Sequence, residues 1–438
     1  MYLLIEEAVR ELDSRLLMAR ELVDRNFTVL VGPQWWFFQN FDNLSPGIAL
    51  FKGNNRIQAG SMAVAKGHGH IVASIEEEVL ALCDATEIQW LYDPRVADCC
   101  DIVLAQGDFQ ARSLKTFAAR ADIEVAITGN PRMDLLRDVN FDPTPVHHDL
   151  RNEGRPYVLI NTNSSTVNPS VADTLRERDR WIVAGLLDLT DPSSVRKFES
   201  YCAWDHQNIE NVLRFVEAYR QRGLNPSLVL RPHPQENLEF WQELYEGDPL
   251  VSVVREGHHL SWTQSAECLV HTSCTTGLEA FILGRPAVSL RSMAPDWDAR
   301  MVSNMVSKVA DNAEVAVDLV ARALDGDFMD ELERLRFENR LAEHHLVGDV
   351  SGGAAGRIAD VFECASGRLS AQSDCSIPDR SIFNRARFRP LSISERQADK
   401  AMIEASDLSR IVREFEGPNH LEIAEICDSV FVLSRAVQ

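Results

Sequence analysis

The sequence is short of basic residues: 44 Lys and Arg stand against 66 Asp and Glu, a formal charge of −22. Such a surface repels phosphate backbones and anionic headgroups, so nucleic-acid binding and docking by bulk basic charge are both disfavoured. Long apolar runs are lacking too. The longest, such as AFILG and VFVL, fall far short of the roughly 20 residues that span a bilayer as a helix. Nine cysteines, at 83, 99, 100, 202, 268, 274, 364, 375 and 427, include no CxxC pair, so no zinc site is read and reduced thiols are expected. There is no Gly-x-Gly-x-x-Gly and no Walker loop, which removes the main support for dehydrogenase and ATPase readings. No repeat of solenoid period is apparent. The start, MYLLIEEAVRELD, turns acidic after a short apolar run, unlike a secretory signal, and a cytoplasmic protein is expected.

What is present is an ordinary globular composition, 45% hydrophobic and 25% charged, which excludes global disorder. A length of 438 residues suggests two to three domains. MYLLI is a strand, Val9, Leu12, Leu16, Ala19 and Leu22 recur near helical period, and FTVLVGP returns to strand. The alternation continues through HIVAS, DIVLAQG and IEVAITGNP, the signature of a parallel sheet covered by helices. Residues 1–140 are therefore expected to form an amino-terminal Rossmann-like domain. A connection containing Pro143, Pro145, Gly154 and Pro156 follows. A second strand–helix series, YVLINTN, PSLVLRPHP, ECLVHTS and PAVSL, makes residues 155–335 a second Rossmann-like domain. Residues 336–438 are expected as a mostly helical extension with Arg380, Arg385, Arg387 and Arg389. Two doubly wound α/β domains facing across a cleft place the carboxyl ends of both sheets at the ligand.

Chemistry-bearing residues concentrate at strand ends. In LVLRPHPQEN, Arg231 and His233 emerge after a buried strand between two prolines, and their donors suit a diphosphate oxygen; pairing with a carboxylate and loop capping are the equal alternatives. In CLVHTSCTTGLEAF, Ser273, Thr275 and Thr276 open a helix whose amino end suits a phosphate, and Glu279 suits vicinal ribose hydroxyls; an ordinary capping box is the alternative. Asn161 and Asn163 in VLINTNSS offer neutral donors to the same ligand, or form a polar turn. Carboxylates for base or nucleophile work cluster at two junctions, Glu6, Glu7, Glu11 and Asp13, then Glu76, Glu77 and Glu78, although acids also favour any first helical turn. Glu11 and Glu77 are the catalytic candidates. His68 and His70 have the spacing of a weak metal pair without a third ligand, so no metal is expected there. Trp35 to Phe38 read as core, with an acceptor-stacking lid as the minority alternative.

VRELDSRLLMA (9–19), TGNPRMDLL (128–136), LINTNSS (159–165), RPHPQEN (231–237) and HTSCTTGLEAFILGRPAV (271–288) resemble bacterial surface carbohydrate biosynthesis proteins, glycosyltransferases of the GT-B type. The last two segments are also similar to donor sites of UDP-GlcNAc 2-epimerases and CMP-sugar transferases. The resemblance implies a glycosyltransferase of capsule or lipopolysaccharide synthesis, with a CMP-activated Kdo or other nonulosonate as donor and a glycan or glycolipid as acceptor. It needs no further cofactor and leaves peripheral membrane contact open. It implies that Arg231, His233 and the Ser273–Thr276 turn hold the donor phosphate and Glu279 the ribose. The family's Asp-Glu-Glu-Gly reads Glu76-Glu77-Glu78-Val79 here, so Glu77 and Glu78 match it and Glu76 departs. A UDP-GlcNAc 2-epimerase-like isomerase and a non-catalytic nucleotide-sugar-binding partner are the competing readings.

Overall fold

The computed structural model describes residues 1–119, 122–136, 156–170, 176–183, 185–257, 259–291, 295–344, 353–370, 385–408, 421–427 and 429–435. The chain divides into two compact units. The first comprises Met1–Val79, Ala85–Phe141 and His345–Gln438, and the second Leu80–Asp84 and Asp142–His344.

The first unit is built on an eight-stranded sheet ordered β13-β14-β2-β1-β3-β4-β5-β6. Its parallel strands are β1 (Tyr2–Ile5), β2 (Val29–Pro33), β3 (Ile48–Phe51), β4 (Ile71–Ile75), β5 (Ile102–Ala105) and β6 (Glu124–Ile127). The first five are buried along their whole length, as expected where helices cover both faces, and their sequences run as unbroken apolar stretches. Helix α1 (Ala8–Asp24) turns Leu12, Leu16, Ala19, Leu22 and Val23 into that core. The strand order reverses between β1 and β3, so the residues just beyond those two strands occupy the position where open α/β sheets bind ligands.

The carboxyl-terminal residues belong to this unit and are helical only in part. The helix Ala354–Ser370 packs beside α1, where Arg25 Nη2 meets Asp360 Oδ1 at 2.6 Å, and Arg357 Nε donates to the Thr128 carbonyl at 2.8 Å. The chain then closes with two strands that a helical extension did not anticipate, β13 (Leu421–Cys427) and β14 (Val430–Arg435). β14 runs antiparallel to β2, Phe431 opposite Val31 and Leu433 opposite Val29. The physical reason is the VFVL run. Its side chains are β-branched or aromatic and buried, and β2 offers an edge whose N–H and C=O groups need partners. The connection through Pro143, Pro145 and Gly154, and Arg380, lie outside the described residues.

The second unit holds a six-stranded, wholly parallel sheet ordered β12-β11-β10-β7-β8-β9. The strands are β7 (Tyr157–Asn161), β8 (Ser227–Arg231), β9 (Val251–Val253), β10 (Cys268–His271), β11 (Ala287–Leu290) and β12 (Lys308–Ala310). Between β7 and β8 lies α2 (Pro192–Arg222), started by Asp191, which accepts from Ser193 N at 2.9 Å, and ended by Gly223 in the left-handed region at φ 70°. Val212, Phe215, Val216 and Tyr219 of α2 pack on the face formed by Val158, Ile160, Leu230, Val270 and Val288. The opposite face, with Leu159, Val229 and Leu269, packs against Trp262 and Ala280. The reversal of strand order here falls between β7 and β10. No helix among the described residues is long and apolar enough to cross a membrane.

The β14 pairing makes a checkable claim. Phe431 is 1% exposed, so Phe431→Ala should cost about 3–5 kcal/mol in urea unfolding. A change near zero would show that this strand is not integral to the first unit.

Candidate functional site

In the first unit the ends of β1, β3 and β4 carry a dense set of charged side chains. Lys52, just after β3, meets Glu6 Oε2 at 3.0 Å and Glu11 Oε1 at 3.5 Å. Glu11 also accepts from the backbone N–H groups of Glu6 (3.0 Å) and Glu7 (3.3 Å), which ties the end of β1 to the first turn of α1. Burial disfavours the Lys52 ammonium, but Glu11, Glu6 and Glu78 outweigh it and hold the amine above its usual range. Burial raises the Glu11 carboxyl against the attraction of Lys52.

One helical turn on, Arg15 is fully buried; its Nη2 meets Glu77 Oε1 at 3.2 Å and its Nε donates to the Leu4 carbonyl at 3.4 Å. Glu77 Oε2 accepts from Asn130 Nδ2 at 3.1 Å, with Arg132 4.0 Å away. Burial alone would raise the Glu77 carboxyl, yet Arg15, Arg132 and Asn130 together hold it below the usual range. Its neighbour Glu76 behaves oppositely. Glu76 Oε2 accepts from the N–H (2.8 Å) and Nδ2 (3.2 Å) of Asn54, with no ion pair among the described residues, and burial, helped by Glu78 and against the weaker pull of Lys52, pushes its carboxyl up to about 8. Gln106, just past β5, donates to the Glu76 carbonyl at 2.9 Å. Four buried polar atoms here find no hydrogen-bond partner among the described residues: Arg15 Nη1, Asn54 Oδ1, Gln58 Oε1 and Gln106 Oε1.

The structure thus brings Glu6, Glu7, Glu11, Glu76, Glu77 and Glu78 to one sheet edge. It engages Glu11 and Glu77, 3% and 4% exposed, in ion pairs, Glu11 also accepting from backbone N–H groups and Glu77 from the Asn130 amide. Sequence reading passed over Arg15 and Lys52. The only signal for Lys52 was its place directly after the apolar IALF run, and Arg15 looked like the polar side of an amphipathic helix.

In the second unit the nucleotide candidates lie on loops after β7, β8 and β10. The fold engages Arg231 in part: its Nη2 donates to the carbonyls of Arg255 and Gly257, both at 2.9 Å, its guanidinium lies 6.0 Å from the Trp262 ring centre, and its buried Nε has no hydrogen-bond partner among the described residues. Burial lowers it to about 10. His233 Nδ1 accepts from Gln235 N at 3.2 Å, which leaves the proton of the neutral ring on Nε2. The organiser of both loops is Glu236, wholly buried, which accepts from Thr162 Oγ1 (2.6 Å), Ser164 N (3.0 Å), His233 N (3.2 Å) and Trp241 Nε1 (2.9 Å). Asn161 is buried with Oδ1 unpartnered, and Asn163 is half-buried.

Ser273 sits in the left-handed region at φ 57°. Its hydroxyl donates to Asp298 Oδ1 at 3.0 Å and accepts from Asn304 Nδ2 at 2.8 Å. The short helix α3 (Thr276–Ile282) has Thr275 at its amino end with no side-chain cap, so Thr276 and Glu279 do not form the capping box; Thr276 Oγ1 is buried without a partner. Glu279 instead meets His259 Nε2 at 3.1 Å, a partner the sequence did not suggest. Gly277 is required because a Cβ there would overlap the buried ring of His271, whose Nε2 is 2.9 Å from Ser307 Oγ.

The remaining candidates resolve into packing. His70 is buried, its Nδ1 accepting from Gly47 N at 3.2 Å, and His68 is exposed; no cluster able to hold a metal ion occurs among the described residues. Trp36 and Phe37 are fully buried, with Phe388 5.1 Å from the Trp36 ring.

Solved structures share this architecture at low sequence identity. A Listeria monocytogenes protein named as a UDP-N-acetylglucosamine 2-epimerase is 13% identical, with a TM-score of 0.53 over 86% of this chain and 99% of its own. A second UDP-N-acetylglucosamine 2-epimerase is 15% identical, with a TM-score of 0.53 over the same shares. MnaA of S. aureus, solved with UDP, is 11% identical, with a TM-score of 0.51 over 84% of this chain and 96% of its own. The fold is of the GT-B kind, two Rossmann-like domains in one chain. No protein-family profile matches the sequence, and neither does any curated protein.

Two outcomes test these local assignments. The folded chain keeps on Glu76 a proton that the unfolded chain releases near 4.5, so its contribution to stability falls as pH rises from about 4.5 towards 8. Glu76→Gln should lack that slope, melting near the parent at pH ~5 and above it at pH ~8.5; parallel curves would mean Glu76 is ionised throughout. Gly277→Ala should cost about 2 kcal/mol or more in urea unfolding, beyond any gain in helix propensity, because the His271 ring has to move.

Proposed function

We propose that the protein is an enzyme acting on a nucleotide-activated sugar, by proton transfer at the sugar ring of the kind a UDP-GlcNAc 2-epimerase performs. The observation that carries this reading is Glu76. A group that takes and returns a proton works best with a pKa near the ambient pH, and Glu76, at about 8 on the ligand-binding edge of the first sheet, has it. Glu77 beside it stays ionised, so the two carboxyls hold different proton states in adjacent positions. The catalytic work first sought at Glu11 and Glu77 falls in this reading to Glu76, with Glu77 fixing Arg15 and Asn130 and Glu11 fixing Lys52. The 2-epimerases of like fold, and MnaA, solved with UDP, support a uridine diphosphate sugar as the substrate class.

The second unit supplies the nucleotide site. Glu279, oriented by His259, takes the ribose hydroxyls. The Ser273–Thr276 turn takes the phosphates, with Asn161 and Asn163 beside it. His233 presents Nε2 as a donor, and Arg231, held by the carbonyls of Arg255 and Gly257, acts as a positioning residue for the loop after β9.

The second reading is glycosyl transfer from a CMP-activated nonulosonate to a glycan or glycolipid acceptor of a surface polysaccharide. TGNPRMDLL, a segment of the glycosyltransferase resemblance that the 2-epimerase donor sites do not share, favours it. Incubation with UDP-GlcNAc, and separately with CMP-Kdo and candidate acceptors, tests both when sugar epimerisation and nucleotide release are followed independently. The expected result is a C2 epimer with UDP still attached, with turnover lowered about 10²-fold or more by Glu76→Gln and UDP affinity little changed. Acceptor-dependent release of CMP without epimerisation would replace the first reading by the second. Activity on neither would overturn both.

A further inference from the structure

Over the carboxyl edge of the second sheet, α2 carries buried polar atoms that have no hydrogen-bond partner among the described residues. Asp205 and Asn208, 1% and 0% exposed, lie on the face that continues as Val212, Phe215 and Tyr219. Their place over the sheet is fixed by their neighbours. Asn211 Nδ2 donates to the carbonyl of Arg291, just past β11, at 3.0 Å. Asp205 Oδ2 accepts from the N–H groups of Thr166 (3.0 Å) and Val167 (3.2 Å), in the turn after β7. β10 lies between β11 and β7, so Asn208, between Asp205 and Asn211 on one helical face, stands over the end of β10. There strand alternation turns Thr272 towards α2. Val270, two residues earlier, packs in the α2 core, and Leu269 packs on the opposite face.

Four polar atoms of these residues have no hydrogen-bond partner among the described residues: Asp205 Oδ1, Asn208 Nδ2, Asn208 Oδ1 and Thr272 Oγ1. Leaving a buried amide unpaired at both ends costs the full desolvation of both groups. The chain is able to satisfy such groups, as the four donors around Glu236 show. The unpaired set also has a definite chemistry. Among the described residues no cation pairs with Asp205. Burial, then Glu236, pushes its carboxyl up to about 8, so at neutral pH it donates. A neutral group with both hydroxyl donors and acceptors fits these atoms, whereas a carboxylate or phosphate would find no cation paired with Asp205 among the described residues.

We propose that Asp205, Asn208 and Thr272 form a subsite for a neutral, hydroxyl-rich sugar ring, and that they select such a sugar over an acidic one. The inference rests on the nucleotide-sugar reading and chooses within it. Asp205 fastens the turn at 166–167 beside the subsite, so the ring reaches Asn208 when that turn lifts.

The test is Asn208→Leu, close in volume and without polar atoms, with Thr272→Val as a second variant should the first fail to fold. Calorimetry with UDP and with UDP-GlcNAc separates nucleotide from sugar. In either variant UDP affinity should stay within about twofold of the parent, while the advantage of UDP-GlcNAc over UDP should fall about tenfold or more. The melting temperature of the ligand-free protein should hold or rise, because unpaired buried groups have been removed. A lower melting temperature with that advantage intact would show that the atoms serve the core through bound water, and would overturn the proposal. So would tighter binding of CMP-Kdo than of UDP-GlcNAc by the parent. If the parent binds neither UDP nor CMP, the nucleotide-sugar reading fails by itself. Free N-acetylglucosamine at high millimolar concentration then decides the subsite: a melting shift in the parent that Asn208→Leu abolishes supports it, and no shift in the parent overturns it.

Discussion

The first unit depends on one buried ion pair, Arg15 with Glu77. Taking both charges out of water is expensive, and the attraction repays it only when geometry and extra hydrogen bonds are good. Here Arg15 also reaches the Leu4 carbonyl and Glu77 also receives Asn130. The pair therefore links α1, the end of β1, the loop after β4 and the loop after β6, all at the sheet edge where ligands of such folds bind. Removing either partner would strand the other charge in a dry interior, which makes this pair a fixed point for the polar groups around it.

That fixed point explains why two adjacent glutamates behave oppositely. Both are buried, and burial alone raises both. Glu77 faces cations and stays ionised. Glu76 faces amides and a nearby carboxylate and keeps its proton. In the second unit Glu236 does the organising without a cation, through four donors drawn from two loops and a tryptophan. Asp205, near Glu236, accepts from two backbone N–H groups at Oδ2, and burial, then Glu236, raises its carboxyl.

Much of this was legible in the chain. The alternating apolar strands and helices indicated two Rossmann-like domains, because a strand buried on both faces is written as an unbroken apolar run. The strand ends flagged the regions that hold the candidate residues, since polar side chains directly after such a run lie at a sheet's carboxyl edge. Arg231 looked like a phosphate ligand because a sequence shows a guanidinium and not the two carbonyls that occupy it. Asp205 and Asn208 drew no notice, since polar residues inside a 31-residue helix look like its wet side.

The sequence by itself determined the class of fold, the strand ends and the supply of carboxylates, because those follow from local periodicity and residue type. Only the tertiary structure decided that the last residues close the first sheet, since a strand's partner is found across hundreds of residues. It alone decided which carboxyl keeps its proton. Proton affinity is set by burial and by the sign of the charges that folding brings within a few ångströms, and Glu76 and Glu77, neighbours in sequence, differ there in almost every contact.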